Sequence, residues 1–153
     1  MKPLQIGDSA PDFVVDPTDN STLHGLIRTN QIAAIVYFYP MDFSPVCSAQ
    51  ACMFRDLHNS ADDDDQPLII GVSPQSDSVH AKFRKSMNLP QLLVADRDKS
   101  IARSYGALGL FRLVRRVSYV ISTDNRILDM AIGTISLAKH QDLVNRVVDE
   151  QWE

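Results

Sequence analysis

The decisive stretch is YFYPMDFSPVCSAQACMFRD, residues Tyr37–Asp56. It opens on the end of an apolar run, Ile32–Tyr39 (IAAIVYFY), passes through a proline-punctuated turn, and continues as a segment of helical composition. The run is rich in β-branched and aromatic residues and lacks polar alternation. That is the pattern of a strand buried on both faces, in the middle of a mixed or parallel sheet. Ser44-Pro45 reads as a helix start, with serine as the cap and proline in the first turn. The helix is expected to run to about His58 and to stop before the acidic stretch ADDDDQP. It carries the only two cysteines of the chain, Cys47 and Cys52, five positions apart.

On a regular helix five residues rise about 7.5 Å and turn about 500°, which separates the two Cα atoms by roughly 8.6 Å. A disulfide needs about 4.4–6.8 Å. Either the thiols are unrelated, or the first helical turns unwind so that they can meet. Cys47 falls in the first turn, where unsatisfied N–H groups and the positive end of the helix dipole favour a thiolate. Cys52 lies more than a turn deeper, beside Ala51, without that help. Taken alone, Cys52 also fits a small buried core residue. A zinc site is disfavoured, because His24, His58, His80 and His140 are scattered with no C-x-x-C or H-x-x-x-H partner. The same missing C-x-x-C argues against a thioredoxin-type dithiol.

Working outward, Asp12–Leu26 (DFVVDPTDNSTLHGL) reads as two short strands around a turn, since Pro17, Asp19 and Asn20 are turn formers. PLIIGVS is a second buried strand, and from Ser76 the residues Val79, Phe83 and Met87 recur at helical spacing. LLVA is a short strand and DKSIARSYG a short helix ended by Gly106. VSYVIS, the turn TDNR and ILDMAI form a hairpin; Leu143, Val144, Val147, Val148 and Trp152 share one face of a last helix. Strands alternating with helices, then a hairpin and a helix, indicate an α/β layered domain, read here as one domain over residues 1–153. The aspartates Asp62–Asp65 lack the spacing of a calcium loop and read as a solvated loop.

Composition narrows the function classes. A formal charge of -4, with 15 Lys+Arg against 19 Asp+Glu, disfavours a general nucleic-acid binder. Ile32–Tyr39 is far short of the roughly 20 apolar residues of a membrane helix. The N-terminal MKPLQIGDSAPDF has no apolar core of a secretory signal. The expectation is a cytoplasmic protein, in which two cysteines are catalytic or redox-sensing rather than structural.

Pro40, Ser44 and Cys47 fit P-x-x-x-[ST]-x-x-C, and with them the chain resembles the peroxiredoxins. The longer stretch FYPMDFSPVCSAQACMFRD is similar to the peroxiredoxin Q group, also called the bacterioferritin comigratory protein group, with a second cysteine where Cys52 stands. GDSAPDF (Gly7–Phe13), GVSPQSDSVHAKFRKSMNLPQLLVADRD and RVSYVIS (Arg116–Ser122) extend the likeness over nearly the whole chain. Two positions depart from the group's pattern: Gln50 stands where a glutamate is usual, and Val46 where a glycine is usual. A neutral Gln50 cannot pair ionically with an arginine, and Val46 adds bulk and stiffness beside the sulfur.

The resemblance implies a thioredoxin-like fold, a central mixed β-sheet flanked by helices with an N-terminal β-hairpin. It also implies reduction of hydrogen peroxide or organic hydroperoxides, with Cys47 as the attacking thiol and Cys52 as its disulfide partner. Thioredoxin or a glutaredoxin is the implied reductant of a monomeric enzyme that needs no cofactor or metal. Arg116, Ser44 and the amides of Val46 and Cys47 would stabilise the reacting O–O bond, and Pro40 would shield the thiolate. Arg116 is preferred over Arg115 because it opens the R-x-S-[FY]-x-I pattern; Arg112 and Arg115 are expected to face solvent, and Arg55 to be a structural salt-bridge residue. Ionising a thiol of pKa about 8.5 gains at most about 30-fold at pH 7, near 2 kcal/mol, whereas donors aimed at developing charge contribute about 10²–10³ each. The rival readings are a redox-sensing interaction protein that uses the same thiol pair, and a general disulfide reductase.

Overall fold

In the computed structural model the described residues are 2–60, 66–133 and 136–149. The aspartates 62–65 and Trp152 lie outside them, as does the side chain of Val148. The elements run β1 (Val14–Asp16), β2 (Ser21–Thr22), α1 (Leu23–Asn30), β3 (Ala34–Phe38), α2 (Pro45–Ser60), β4 (Leu68–Ser73), α3 (Asp77–Met87), β5 (Leu92–Ala95), α4 (Ser100–Ser104), β6 (Val117–Ile121), β7 (Ile127–Ile132) and α5 (Ala138–Asp149). Strands β5-β4-β3-β6-β7 form a five-stranded mixed sheet, with β3 parallel to β4 and antiparallel to β6. β1 and β2 form a separate antiparallel hairpin. The α/β class, the mixed sheet and the N-terminal hairpin agree with the sequence reading.

The apolar run takes the central place because every residue of β3 is buried. Its side chains alternate between two cores. Val36 and Phe38 face one that includes Leu23, Ile27, Tyr105 and Tyr119. Ile35 and Tyr37 face the other, which holds Cys47, Phe54, Leu57, Leu143 and Val144 from α2 and α5. Tyr37 stacks on Phe54 with ring centroids 4.5 Å apart. Gly71 sits opposite Tyr37 in the parallel register, and a Cβ there would fall 2.8 Å from the tyrosine ring, so the strand needs glycine at that point.

One segment corrects the sequence reading. The second strand of the N-terminal hairpin is only two residues long, and Leu23–Asn30 is a helix rather than a continuation of it. Thr22 caps this helix by accepting the Gly25 N–H on its hydroxyl, and Leu23 and Ile27 bury one face four residues apart. Turn-forming residues before it and Gly25 within it concealed the helical period. Replacing the cap, Thr22→Ala, is expected to lower stability by about 1 kcal/mol in urea titration, while Thr22→Ser retains most of it.

Candidate active site

The site is built where α2 starts, at the end of the central strand. Ser44 precedes Pro45; its carbonyl accepts the Ser48 N–H at 2.8 Å and its Oγ accepts the Cys47 N–H at 3.3 Å. Ser44 is thus a capping residue, as the sequence suggested, and its own hydroxyl lies 3.4 Å from the Met41 carbonyl oxygen. Cys47 is the third residue of α2 and is 1% exposed. Pro40 is exposed in the loop between β3 and α2, and Val46 is half-buried.

Arg116 reaches Cys47 because β6 runs antiparallel to β3 with Val117 opposite Phe38, which puts residue 116 level with the exit from β3. The side chain is 4% exposed. Its Nη2 donates to Cys47 Sγ at 3.2 Å and its Nη1 to Gln50 Oε1 at 2.7 Å. Cys47 and Gln50 are three residues apart and share one face of α2, so the planar guanidinium spans both. The neutral side chain at position 50 therefore still holds the arginine, through its carbonyl oxygen. Arg112 is exposed and Arg115 half-buried, so the register chosen from the sequence is the one that buries position 116.

Behind Gln50 the contacts continue inward. Its Nε2 donates to Ser118 Oγ at 3.4 Å, Ser118 Oγ lies 2.8 Å from His140 Nδ1, and His140 Nε2 lies 3.2 Å from the Gly133 carbonyl oxygen. Burial pushes the His140 imidazole below its ordinary value; the bond to Gly133 opposes this and the Arg116 charge adds to it. A second buried group holds the loop before α2. Asp42 accepts the Tyr39 hydroxyl at 2.6 Å, and its other oxygen lies 2.6 Å from His80 Nδ1 on α3. His80 Nε2 is 3.1 Å from the Val94 carbonyl oxygen on β5. Burial pushes the Tyr39 phenol far up, so it stays a donor to Asp42.

Cys52 is not part of this cluster. It is half-buried, with its sulfur 3.8 Å from Met87 Sδ at the end of α3, and both thiols are free. The wound helix holds the two Cα atoms roughly 8.6 Å apart. Arg55 donates to the Met87 carbonyl at 2.8 Å and to Asp56 at 3.2 Å, tying α2 to the end of α3. The sequence reading missed Asp42, His80, Ser118 and His140. No local pattern marks them, since each meets its partner across the fold.

Similarity to known proteins agrees with this geometry. Residues 6–130 match the model of the AhpC/TSA family, and the chain belongs to that family. Its relatives are peroxiredoxins of the Bcp/peroxiredoxin Q group, a class of thiol peroxidases. It is 33% identical to peroxiredoxin Bcp of Bacillus subtilis over 132 residues, 82% of this chain and 83% of the relative. It is 32% identical to a putative peroxiredoxin bcp of Coxiella burnetii over 105 residues, 69% of this chain and 68% of the relative. Among solved structures, the peroxidoxin BcpB of Mycobacterium tuberculosis superposes with a TM-score of 0.80 at 25% identity, covering 95% of this chain and 97% of that one. A Xanthomonas campestris peroxiredoxin Q shares the fold, with a TM-score of 0.74 at 21% identity over 86% of this chain and 85% of that one.

Arg116→Lys loses the fork that spans Cys47 and Gln50. Alkylation of Cys47 by iodoacetamide at neutral pH, followed by mass spectrometry, is expected to slow by about tenfold or more, the worth of one charge-assisted bond. His140 gives a stability prediction. Its folded value lies below its ordinary 6.5, so the stability it contributes is complete above 6.5 and is lost as the pH falls through the folded value. Urea midpoints compared at about pH 7.5 and about pH 5 are expected to fall more in the parent than in His140→Gln.

Proposed function

We propose that the protein reduces hydroperoxides through Cys47, with Cys52 as the thiol that resolves the oxidised state. The Cys47 thiolate attacks the terminal oxygen of ROOH. An S–O bond forms as the O–O bond breaks, RO⁻ leaves and takes a proton as ROH, and the sulfur becomes a sulfenic acid. Cys52 then attacks that sulfur, an S–S bond replaces the S–O bond, and the hydroxyl leaves as water. A dithiol, thioredoxin or a glutaredoxin, reduces the disulfide by exchange and is itself oxidised.

The observation that carries this reading is the Arg116 guanidinium, buried and donating to the Cys47 sulfur at 3.2 Å. A cation there favours the anionic nucleophile before attack and charge on the leaving oxygen during it. Ser44 and the N–H groups of Val46 and Cys47 are further donors at the start of α2, where the helix dipole adds in the same sense. Pro40 is proposed to shield the thiolate from water. The resolving step requires α2 to unwind at its start, because the wound helix keeps the sulfurs out of bonding range.

One equivalent of hydrogen peroxide is expected to consume both thiols and to leave a monomer on a non-reducing gel. Cys47→Ser is expected to remove peroxidase turnover, by about 10³-fold or more. Cys52→Ser leaves a sulfenic acid at Cys47 that dimedone traps, or a disulfide between chains. Full peroxide turnover by the Cys47 variant contradicts the reading.

A further inference from the structure

The two most exposed large apolar side chains among the described residues are neighbours, far along the chain from the cysteines. Leu110 is 84% and Phe111 92% exposed, and Leu113 follows at 63%. The segment that carries them is tightly held. Leu108 and Val114, both buried, pair across its base in an antiparallel bridge. The Gly109 N–H donates to the Leu113 carbonyl at 2.7 Å, the Arg115 N–H to the Ala107 carbonyl at 2.7 Å, and Lys99 Nζ to the Arg112 carbonyl at 2.8 Å. Phe111 and Arg112 sit at the tip with φ of 57° and 58°, in the left-handed region that bulky side chains rarely enter. The fold keeps this turn in place and points three apolar side chains away from its own core.

The charge around the tip has one sign. Between Asp98 and Asp124 the chain has five Lys or Arg and no acid, in a protein whose formal charge is -4, and of the five only Arg116 is buried. Arg112 is exposed at the tip, the Arg115 side chain packs beside Gly109, and Lys99 reaches the tip through its bond to Arg112. The nearest acid in sequence, Asp98, accepts the Ser100 N–H at 3.1 Å and lies in the field of Arg103. Bulky apolar side chains collared by cations match the boundary of an anionic bilayer. There apolar groups enter the acyl region while Lys and Arg keep their charge among the phosphates. The same cations disfavour a second copy, since two-fold pairing on this tip sets Arg112 and Arg115 of one copy close to those of the other. A specific protein partner needs about 800 Å² from each side, more than three side chains on one narrow turn present.

We propose that the turn 109–113 docks the protein on the surface of an anionic lipid bilayer: Leu110, Phe111 and Leu113 enter the interfacial layer while Lys99, Arg112 and Arg115 meet the headgroup phosphates. The contact is peripheral, since among the described residues no helix is long and apolar enough to cross a membrane. It stands whether or not Cys47 is the attacking thiol. The place of the turn has a consequence for the site. Val117 pairs with Phe38, so the chain entering β6 and the chain leaving β3 share one end of the sheet. Arg116 lies three residues beyond Leu113, within about 10 Å of chain. Met41 and Phe43, about half exposed, lie on the segment that leaves β3 at the same end. A docked turn therefore holds the Cys47–Arg116 end of the sheet toward the lipid.

The test is flotation of the reduced protein with vesicles of phosphatidylcholine alone and of phosphatidylcholine mixed with phosphatidylglycerol, for the parent, Phe111→Asn and Arg112→Gln. Asparagine is polar and tolerates the left-handed conformation, so the turn keeps its shape. The parent is expected to float with the anionic vesicles and to stay in solution with the neutral ones. Phe111→Asn is expected to lower the partition coefficient by about tenfold or more. Arg112→Gln lowers it by about fivefold, a loss that shrinks as salt is raised. Urea midpoints and the rate of Cys47 oxidation by hydrogen peroxide in solution remain those of the parent in both variants, because both side chains are exposed. A parent that stays in solution with anionic vesicles, binds neutral ones equally well, or floats unchanged after Phe111→Asn overturns the proposal. Sedimentation velocity without lipid reads the rival occupant: a dimer that Phe111→Asn returns to monomer assigns the turn to a second copy, and overturns it as well.

Discussion

Arg116 and Cys47 touch at 3.2 Å with both side chains out of water, and the rest of the site is arranged around that contact. Burying a guanidinium costs several kcal/mol unless hydrogen bonds and a compensating charge surround it. The fold brings hydrogen-bond partners to it from α2. The antiparallel pairing of β6 with β3 brings position 116 to the exit of the central strand. The first turn of α2 brings the sulfur, and Gln50, one turn on, brings an oxygen for the other arm of the guanidinium. The stacked Tyr37 and Phe54 keep α2 pressed on the sheet at that level.

The same helix is asked for two incompatible things under the proposed cycle. Wound, it holds Cys47 against Arg116 and points Cys52 toward Met87. Unwound at its start, it lets the sulfurs meet. The wound state is held at the N-terminal end by a serine cap worth about 1 kcal/mol and by the Arg116 contacts to Cys47 and Gln50, and farther along by the Cys52–Met87 sulfur contact at 3.8 Å. The flanks are held more firmly. Asp42, Tyr39 and His80 pin the loop before the helix to α3 and β5, and Arg55 pins the middle of α2 to the end of α3. Under the proposed cycle these flanking contacts would confine melting to the turns between the two cysteines.

The sequence disclosed what is local and periodic. The buried run Ile32–Tyr39, the Ser44-Pro45 start, the Ser76 cap of α3 and the spacing of the thiols each carry their reading within a few residues. Helix α1 was concealed, because Pro17, Asp19 and Asn20 signal a turn, and neither Gly25 within it nor its short length supports a helical period. The supports of the site were beyond local reading for a different reason. Asp42 meets His80 38 residues away, and Gln50 meets Ser118 68 residues away. Histidines scattered along the chain carry no local sign that His80 meets Asp42 and His140 meets Ser118. Gln50 is the instructive case: its neutral side chain rules out an ionic pair with an arginine, and the fold uses its carbonyl oxygen to hold that arginine all the same.

Hydrogen–deuterium exchange over residues 44–53, in the reduced protein and again after one equivalent of peroxide, tests the central claim most directly. The account predicts slow exchange of the Cys47–Cys52 amides while Arg116 holds the Cys47 sulfur. Once the sulfurs are joined the same amides exchange rapidly, with β3 and the far end of α2 unchanged. A disulfide between Cys47 and Cys52 that leaves those amides as protected as before contradicts it.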